Sequence, residues 1–196
     1  MRKVLFLMLL AVVVITGCNN QTANTEQENS KTKVFELNGF KDIKFGMNKN
    51  ELTTLGFSCG EEALTSCERL KSGPEYTLLG READDISVQL EDNKVISITV
   101  MVNTMSKEEA VEVFKQSLGN PQQFGTFSQG REDIMDYLWV SSNQTSIRIV
   151  IDPAQPNETL AVHYDDKNQT SKTLTLAKQW QEQRLQDKAT TNPKDY

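Results

Sequence analysis

The run from Ile86 to Val102 constrains the fold more than any other part of the chain. Ile86, Val88 and Leu90 alternate with Ser87, Gln89 and Glu91, the period-two pattern of a strand with one dry and one wet face. Asp92-Asn93-Lys94 supplies turn residues, and Val95–Val102 is a β-branched run interrupted by Ser97 and Thr99. Two such runs about a short turn make an antiparallel hairpin. A lone hairpin is marginal in water, so its dry face requires further strands or helices to lie against it.

A helix signal precedes strands twice. Met47-Asn48-Lys49-Asn50-Glu51 matches Met105-Ser106-Lys107-Glu108-Glu109 in pattern. Asn48 or Ser106 can cap a helix, and Glu51 or Glu109 three residues on can return the bond, so each is a capping box. The helices stop at Leu55-Gly56 and Leu118-Gly119, the second stop reinforced by Asn120-Pro121. In the second helix Ala110, Val113, Phe114 and Leu118 line one face.

Beyond it, Tyr137–Val140, Ile147–Ile151 and Leu160–Tyr164 read as a three-stranded antiparallel meander. Short strands are also expected near Phe35–Leu37 and Glu75–Leu79. Ser171–Lys188 reads as a last helix, although Leu174, Leu176, Ala177, Trp180 and Leu185 form no clean stripe. The expected fold is α+β: two helix-plus-antiparallel-strand units, their helices packed on one face of an antiparallel sheet, plus a C-terminal helix. The globular domain is expected over residues 34–166, with the C-terminal helix and a loose tail at 167–196.

The amino terminus carries an address. Arg2 and Lys3 precede an unbroken apolar run, Val4–Ile15, which is short for a membrane span and right for a secretory signal peptide. Ile15-Thr16-Gly17-Cys18 resembles the lipobox of bacterial lipoproteins. That resemblance implies removal of residues 1–17 and acylation of Cys18 with diacylglycerol and palmitate-type chains. Two or three chains anchor stably where one does not. Asn19 after the cysteine favours the outer membrane, facing the periplasm. Residues 18–33 are almost wholly polar, and read as a flexible tether because such a composition cannot bury a core.

Of the 21 basic residues two lie in the leader, against 27 acidic residues. An acidic exported chain with no basic cluster argues against nucleic-acid binding and against an electrostatic hold on anionic lipid. With Cys18 committed to lipid, Cys59 and Cys67 remain, a short loop apart in an exported protein, and a structural disulfide is expected. No set of residues at metal-ligand spacing accompanies them; neither metal nor cofactor is expected.

Catalytic chemistry is scarce. His163 is the sole histidine, and alternation within Leu160–Tyr164 places it opposite Val162, toward the wetter face. No Gly-x-Ser-x-Gly elbow presents a nucleophile, and no glycine loop is built to cradle phosphate. Glu61-Glu62, Asp84-Asp85, Glu108-Glu109 and Asp165-Asp166 read as solvated loop or helix-start charges. Asp165-Asp166-Lys167-Asn168 lacks the spaced ligands of a calcium loop. The expectation is a protein that is not an enzyme and has no catalytic residues. Aromatic residues and Arg dominate binding surfaces, which makes Arg131, Tyr137 and Trp139 the candidate partner patch and Trp180 a further anchor.

Ile43-Lys44-Phe45-Gly46-Met47-Asn48-Lys49 resembles the opening of the small outer-membrane lipoproteins of the SmpA/OmlA (BamE) family. Leu118-Gly119-Asn120-Pro121, with Tyr137 and Trp139 starting a strand, is similar to that family's helix end and first sheet strand. Duplicated units of this kind make up the β-lactamase-inhibitor-protein-like fold. The resemblance implies a domain that binds proteins and does no chemistry. The expected function is therefore a membrane-anchored envelope lipoprotein, a non-catalytic protein-binding or inhibitory module with an envelope protein as partner. An envelope or cell-wall-acting hydrolase is the alternative, and a small-ligand carrier a third.

Overall fold

The computed structural model describes residues 33–60, 65–70, 75–125, 134–154 and 159–190. The expected signal peptide, Cys18, nearly all of the tether and Arg131 lie outside them. Two short ladders flank the main body: β1 (Gly39–Phe40) with β2 (Ile43–Lys44), and β5 (Thr77–Leu78) with β6 (Arg81–Glu82). The body is one sheet of eight strands. In chain order these are β3 (Phe57–Cys59), β4 (Thr65–Arg69), β7 (Asp85–Glu91), β8 (Lys94–Val102), β9 (Gln122–Gly125), β10 (Met135–Val140), β11 (Ser146–Ile151) and β12 (Leu160–Asp165). Across the sheet they run β3-β4-β7-β8-β12-β11-β10-β9, every neighbour antiparallel.

This overturns the expected pair of helix-plus-strand units. The molecule is dominated by strands, and the strands close into a single sheet. The physical reason lies in β8: one side pairs with β7 through the anticipated hairpin, and the other pairs with β12 over six residues, from Val102↔Leu160 to Ser97↔Asp165. What reads as the end of one unit is the middle of the sheet. Three further strands, β3, β4 and β9, extend it at the edges. The hairpin turn has φ of 50° at Asp92 and 59° at Asn93, the doubly left-handed geometry whose twist suits a two-residue hairpin.

Both expected amino-terminal helices form. Helix α1 (Lys49–Thr54) carries a complete capping box, Asn48 accepting from the Glu51 N–H and Glu51 accepting from the Asn48 N–H. Helix α2 (Lys107–Leu118) is capped by Ser106, which accepts from the Glu109 N–H, and ends at Gly119 with φ 85°. Leu52 of α1 and Ala110, Val111 and Phe114 of α2 join one core with Ile86, Val88, Ile98, Val100, Val162 and Ile149. Burying each of the larger side chains contributes about 1.5–3 kcal/mol. Helix α3 (Lys167–Thr190) starts earlier than the sequence suggests, because Asp166 Oδ1 accepts from the N–H groups of Asn168 and Gln169. Asp166 thus acts as a helix cap.

The C-terminal helix α3, expected in addition to the helices on one face, packs on the other. In β10, Trp139 packs with Phe114 of α2 at a centroid distance of 5.3 Å, whereas its neighbour Leu138 packs with Phe124 and Ala177 of α3. Successive strand residues point to opposite faces, so α2 and α3 lie on opposite sides of the sheet.

The expected strand at Phe35–Leu37 is instead an irregular strap. The Ser142 N–H donates to Phe35 O, Asn143 Nδ2 and Thr145 Oγ1 donate to Leu37 O, and the Lys33 N–H donates to Leu118 O. This ties the chain's entry to the β10–β11 turn and the end of α2.

Candidate functional site

Register places a line of charged and hydroxyl side chains on the face away from α2. Thr99, His163 and Arg148 are direct cross-strand neighbours on β8, β12 and β11, and Ser97, Asp165 and Ser146 form the next row. Asp136 of β10 lies diagonally from Arg148. These side chains bond to one another. Ser97 Oγ donates to Asp165 Oδ1 at 2.7 Å, Arg148 Nη1 reaches Asp136 Oδ1 at 3.4 Å, and Arg148 Nε lies 3.7 Å from Asp165 Oδ2. Asp136 is fully buried and Asp165 nearly so. A buried carboxylate is tolerated only when paired and hydrogen-bonded, and the shared guanidinium of Arg148 contributes to both.

His163 Nδ1 sits 3.1 Å from Thr99 Oγ1. The alternation places it on the polar face as expected, but it is largely covered there. Burial, reinforced by the nearby Arg148 guanidinium, lowers its pKa to about 4. It is therefore neutral at physiological pH.

Helix α3 crosses this face on a narrow seam. Thr170 bonds Ser146 through their hydroxyls at 2.8 Å, Leu174 and Ala177 meet Val140, Leu138 and Phe124, and Trp180 reaches the end of β9. Gly125 admits that last contact: a β-carbon there would stand 2.7 Å from the far edge of the Trp180 ring. Arg184, one turn on, lies 4.8 Å over the same ring, a cation–π contact.

Between helix and sheet a hollow of about 470 Å³ remains, with Asp136 and Arg148 as its floor and Phe124, Leu176, Ala177 and Trp180 among its walls. Among the described residues, neither Trp180 Nε1 nor Arg148 Nε has a hydrogen-bond acceptor, although both are buried. For the indole, which has no ion pair to offset it, such burial costs about 1–3 kcal/mol. A second hollow of about 400 Å³ adjoins His163, Met101, Ala161 and Val150. The more voluminous one, about 550 Å³, lies at the β3 edge beside Lys49, Phe57, Cys59 and Leu70. Its sole lining charge is Lys49, which donates to Gly60 O, so the chemically richer site is the one under α3.

The residues singled out from the sequence are dispersed. Cys59 and Cys67 are directly opposed on β3 and β4 and joined, with an S–S distance of 2.05 Å. Trp139 is 1% exposed and donates its indole N–H to Gly119 O at 2.9 Å. Tyr137 is half-buried against the same core. Both rings lie on the α2 face, across the sheet from Trp180. Sequence reasoning missed Asp136, Arg148 and Asp165 as a cluster. Its one available signal was Arg148 between Ile147 and Ile149, a charge in an apolar run. Among the described residues no group of His, Cys, Asp or Glu side chains could hold a metal ion, and no helix is long and apolar enough to cross a membrane.

What these features define is an architecture: an antiparallel eight-stranded sheet, dry under α1 and α2 on one side and charged and half-roofed by α3 on the other. Comparison with known proteins returns no match to this chain among family models, curated proteins or solved structures.

Proposed function

We propose that this chain is an envelope lipoprotein, held to the outer membrane by acylated Cys18, whose folded domain binds a protein partner without transforming it. The observation that carries the reading is the α3 side of the molecule. Leu176 and Leu185 are 66% and 70% exposed on a helix whose inner side already seats on the sheet, and Leu176 borders the hollow beside Trp180. Exposed apolar side chains beside a concave site are the ordinary material of a binding surface.

Placement supports it as well. The chain enters at the β10–β11 turn, and Asp136 in the hollow's floor lies five residues away along β10, about 17 Å at strand rise. The hollow is thus set away from the entry side.

Crosslinking in native membranes followed by mass spectrometry tests the partner. Recovery of a defined envelope protein, lost on Leu176→Asp, is the expected result; recovery of none counts against the reading. The anchor is tested by Cys18→Ser, which is expected to move the protein from the membrane fraction to the soluble fraction.

A further inference from the structure

Resting on the reading of this domain as a partner-binding module, we propose that the hollow under α3 receives an uncharged peptide segment of the partner. An apolar side chain of that segment lies against Phe124 and Trp180, and a main-chain carbonyl oxygen meets the Trp180 indole N–H left open there.

The hydrogen-bond inventory sets the ligand's chemistry. Trp180 Nε1 is a buried donor with no hydrogen-bond acceptor among the described residues, Arg148 Nε has only the 3.7 Å ion-pair approach of Asp165 Oδ2, and both residues line the same hollow. An occupant that brings an oxygen acceptor satisfies the indole N–H. A carboxylate is disfavoured, because Asp136 and Asp165 already stand against Arg148 at 3.4 and 3.7 Å. A neutral carbonyl supplies the acceptor without that repulsion. The walls ask for an apolar body, since Phe124, Ala177 and Leu176 border the space. A volume of about 470 Å³ lies in the range of small-ligand sites and is too small for a folded element.

Gly125 makes the arrangement adjustable. The Trp180 ring rests where any side chain at 125 would collide with it, and the ring's own N–H is sealed and unpaired. A tilt of the indole as the segment enters exchanges that unpaired seat for a bonded one.

The two tryptophans give the test its internal control, because Trp139 Nε1 is bonded to Gly119 O in the opposite core. The probe is N-acetyl-L-leucinamide, titrated into the ¹⁵N-labelled full-length lipoprotein in detergent while both indole N–H signals are followed. The expected result is a saturable downfield shift of the Trp180 signal with the Trp139 signal unmoved. Leu176→Asp, at the exposed rim, should weaken binding on the order of tenfold. Gly125→Ala should abolish the shift by displacing the ring, with the Trp139 signal reporting that the fold survives.

The proposal is overturned if the Trp180 signal stays still, if Leu176→Asp leaves the titration unchanged, or if isovalerate or N-acetylglucosamine shifts the signal as far. A crosslinked partner recovered alongside a motionless Trp180 signal would sink this site and leave the partner reading standing. A saturable shift with no partner recovered would do the reverse.

Discussion

His163 is the sole imidazole in the chain, so its titration can be followed without assignment by substitution. Burial and Arg148 hold its pKa at about 4, below the ordinary 6.5 of an imidazole. The unfolded chain therefore binds a proton that the folded chain refuses between those values. Stability from this group is complete above about pH 6.5 and falls as pH falls toward 4. By pH 5 the loss is about 2 kcal/mol. Urea unfolding at a series of pH values should show this slope in the native protein and lose it in His163→Gln, and the imidazole proton signal should titrate near pH 4. Asp136 supplies a second residue-scale prediction. Its removal in Asp136→Ala takes a carboxylate from beside Arg148, whose side chain is 27% exposed; the expected cost is about 3 kcal/mol. Arg148→Met should cost more, because it takes the guanidinium from Asp136 and Asp165 together, as chemical-denaturation midpoints would reveal.

At the scale of elements, legibility followed the strength of the local pattern. The β7–β8 hairpin and α2 were readable because alternation and capping are written in adjacent residues. Strand β9 is Gln-Gln-Phe-Gly and β4 is Thr-Ser-Cys-Glu-Arg; neither carries a strand-like apolar pattern, and each becomes a strand by pairing with a stronger neighbour. Helix α3 was visible, but its seat was not. Its inner contacts pass through Thr170, Leu174, Ala177 and Trp180, a seam of mixed polarity that no apolar stripe announces. The charged cluster stayed hidden for a related reason: Asp136, Arg148 and Asp165 come from three strands and meet only through register. The thin seam predicts that α3 opens before the sheet does. Native-state hydrogen exchange should place the α3 amides several kcal/mol below those of β8 and β12 in opening free energy; equal protection would contradict it.

For the whole molecule, the pairing of β8 with β12 decides how it unfolds. The disulfide-closed strands β3 and β4 lie at one edge and Trp139 toward the other, yet one uninterrupted ladder joins them. A sheet continuous through its middle unfolds as one unit. The amides of β4 and of β10, at the two ends of the sheet, should lose hydrogen-exchange protection with coincident transitions in urea, and two separate midpoints would show that the halves act independently. Reduction of Cys59–Cys67 should lower that shared midpoint without splitting it, by an amount corresponding to about 2–3 kcal/mol.

The strap at residues 33–38 gives the molecule a load path. Force arriving along the chain from its amino-terminal side enters at Lys33 and passes at once to the carboxyl end of α2 and to the turn between β10 and β11. It is borne by several hydrogen bonds converging on Ser142, Asn143 and Thr145, before the short β1–β2 ladder carries any of it. Pulling therefore loads the end of α2 and the β10–β11 turn first, and the turn passes it on to Ser146, which Thr170 of α3 bonds. The strap that would take such a load thus meets α3 near Thr170, at the opposite end of the helix's seam from Trp180 and the hollow.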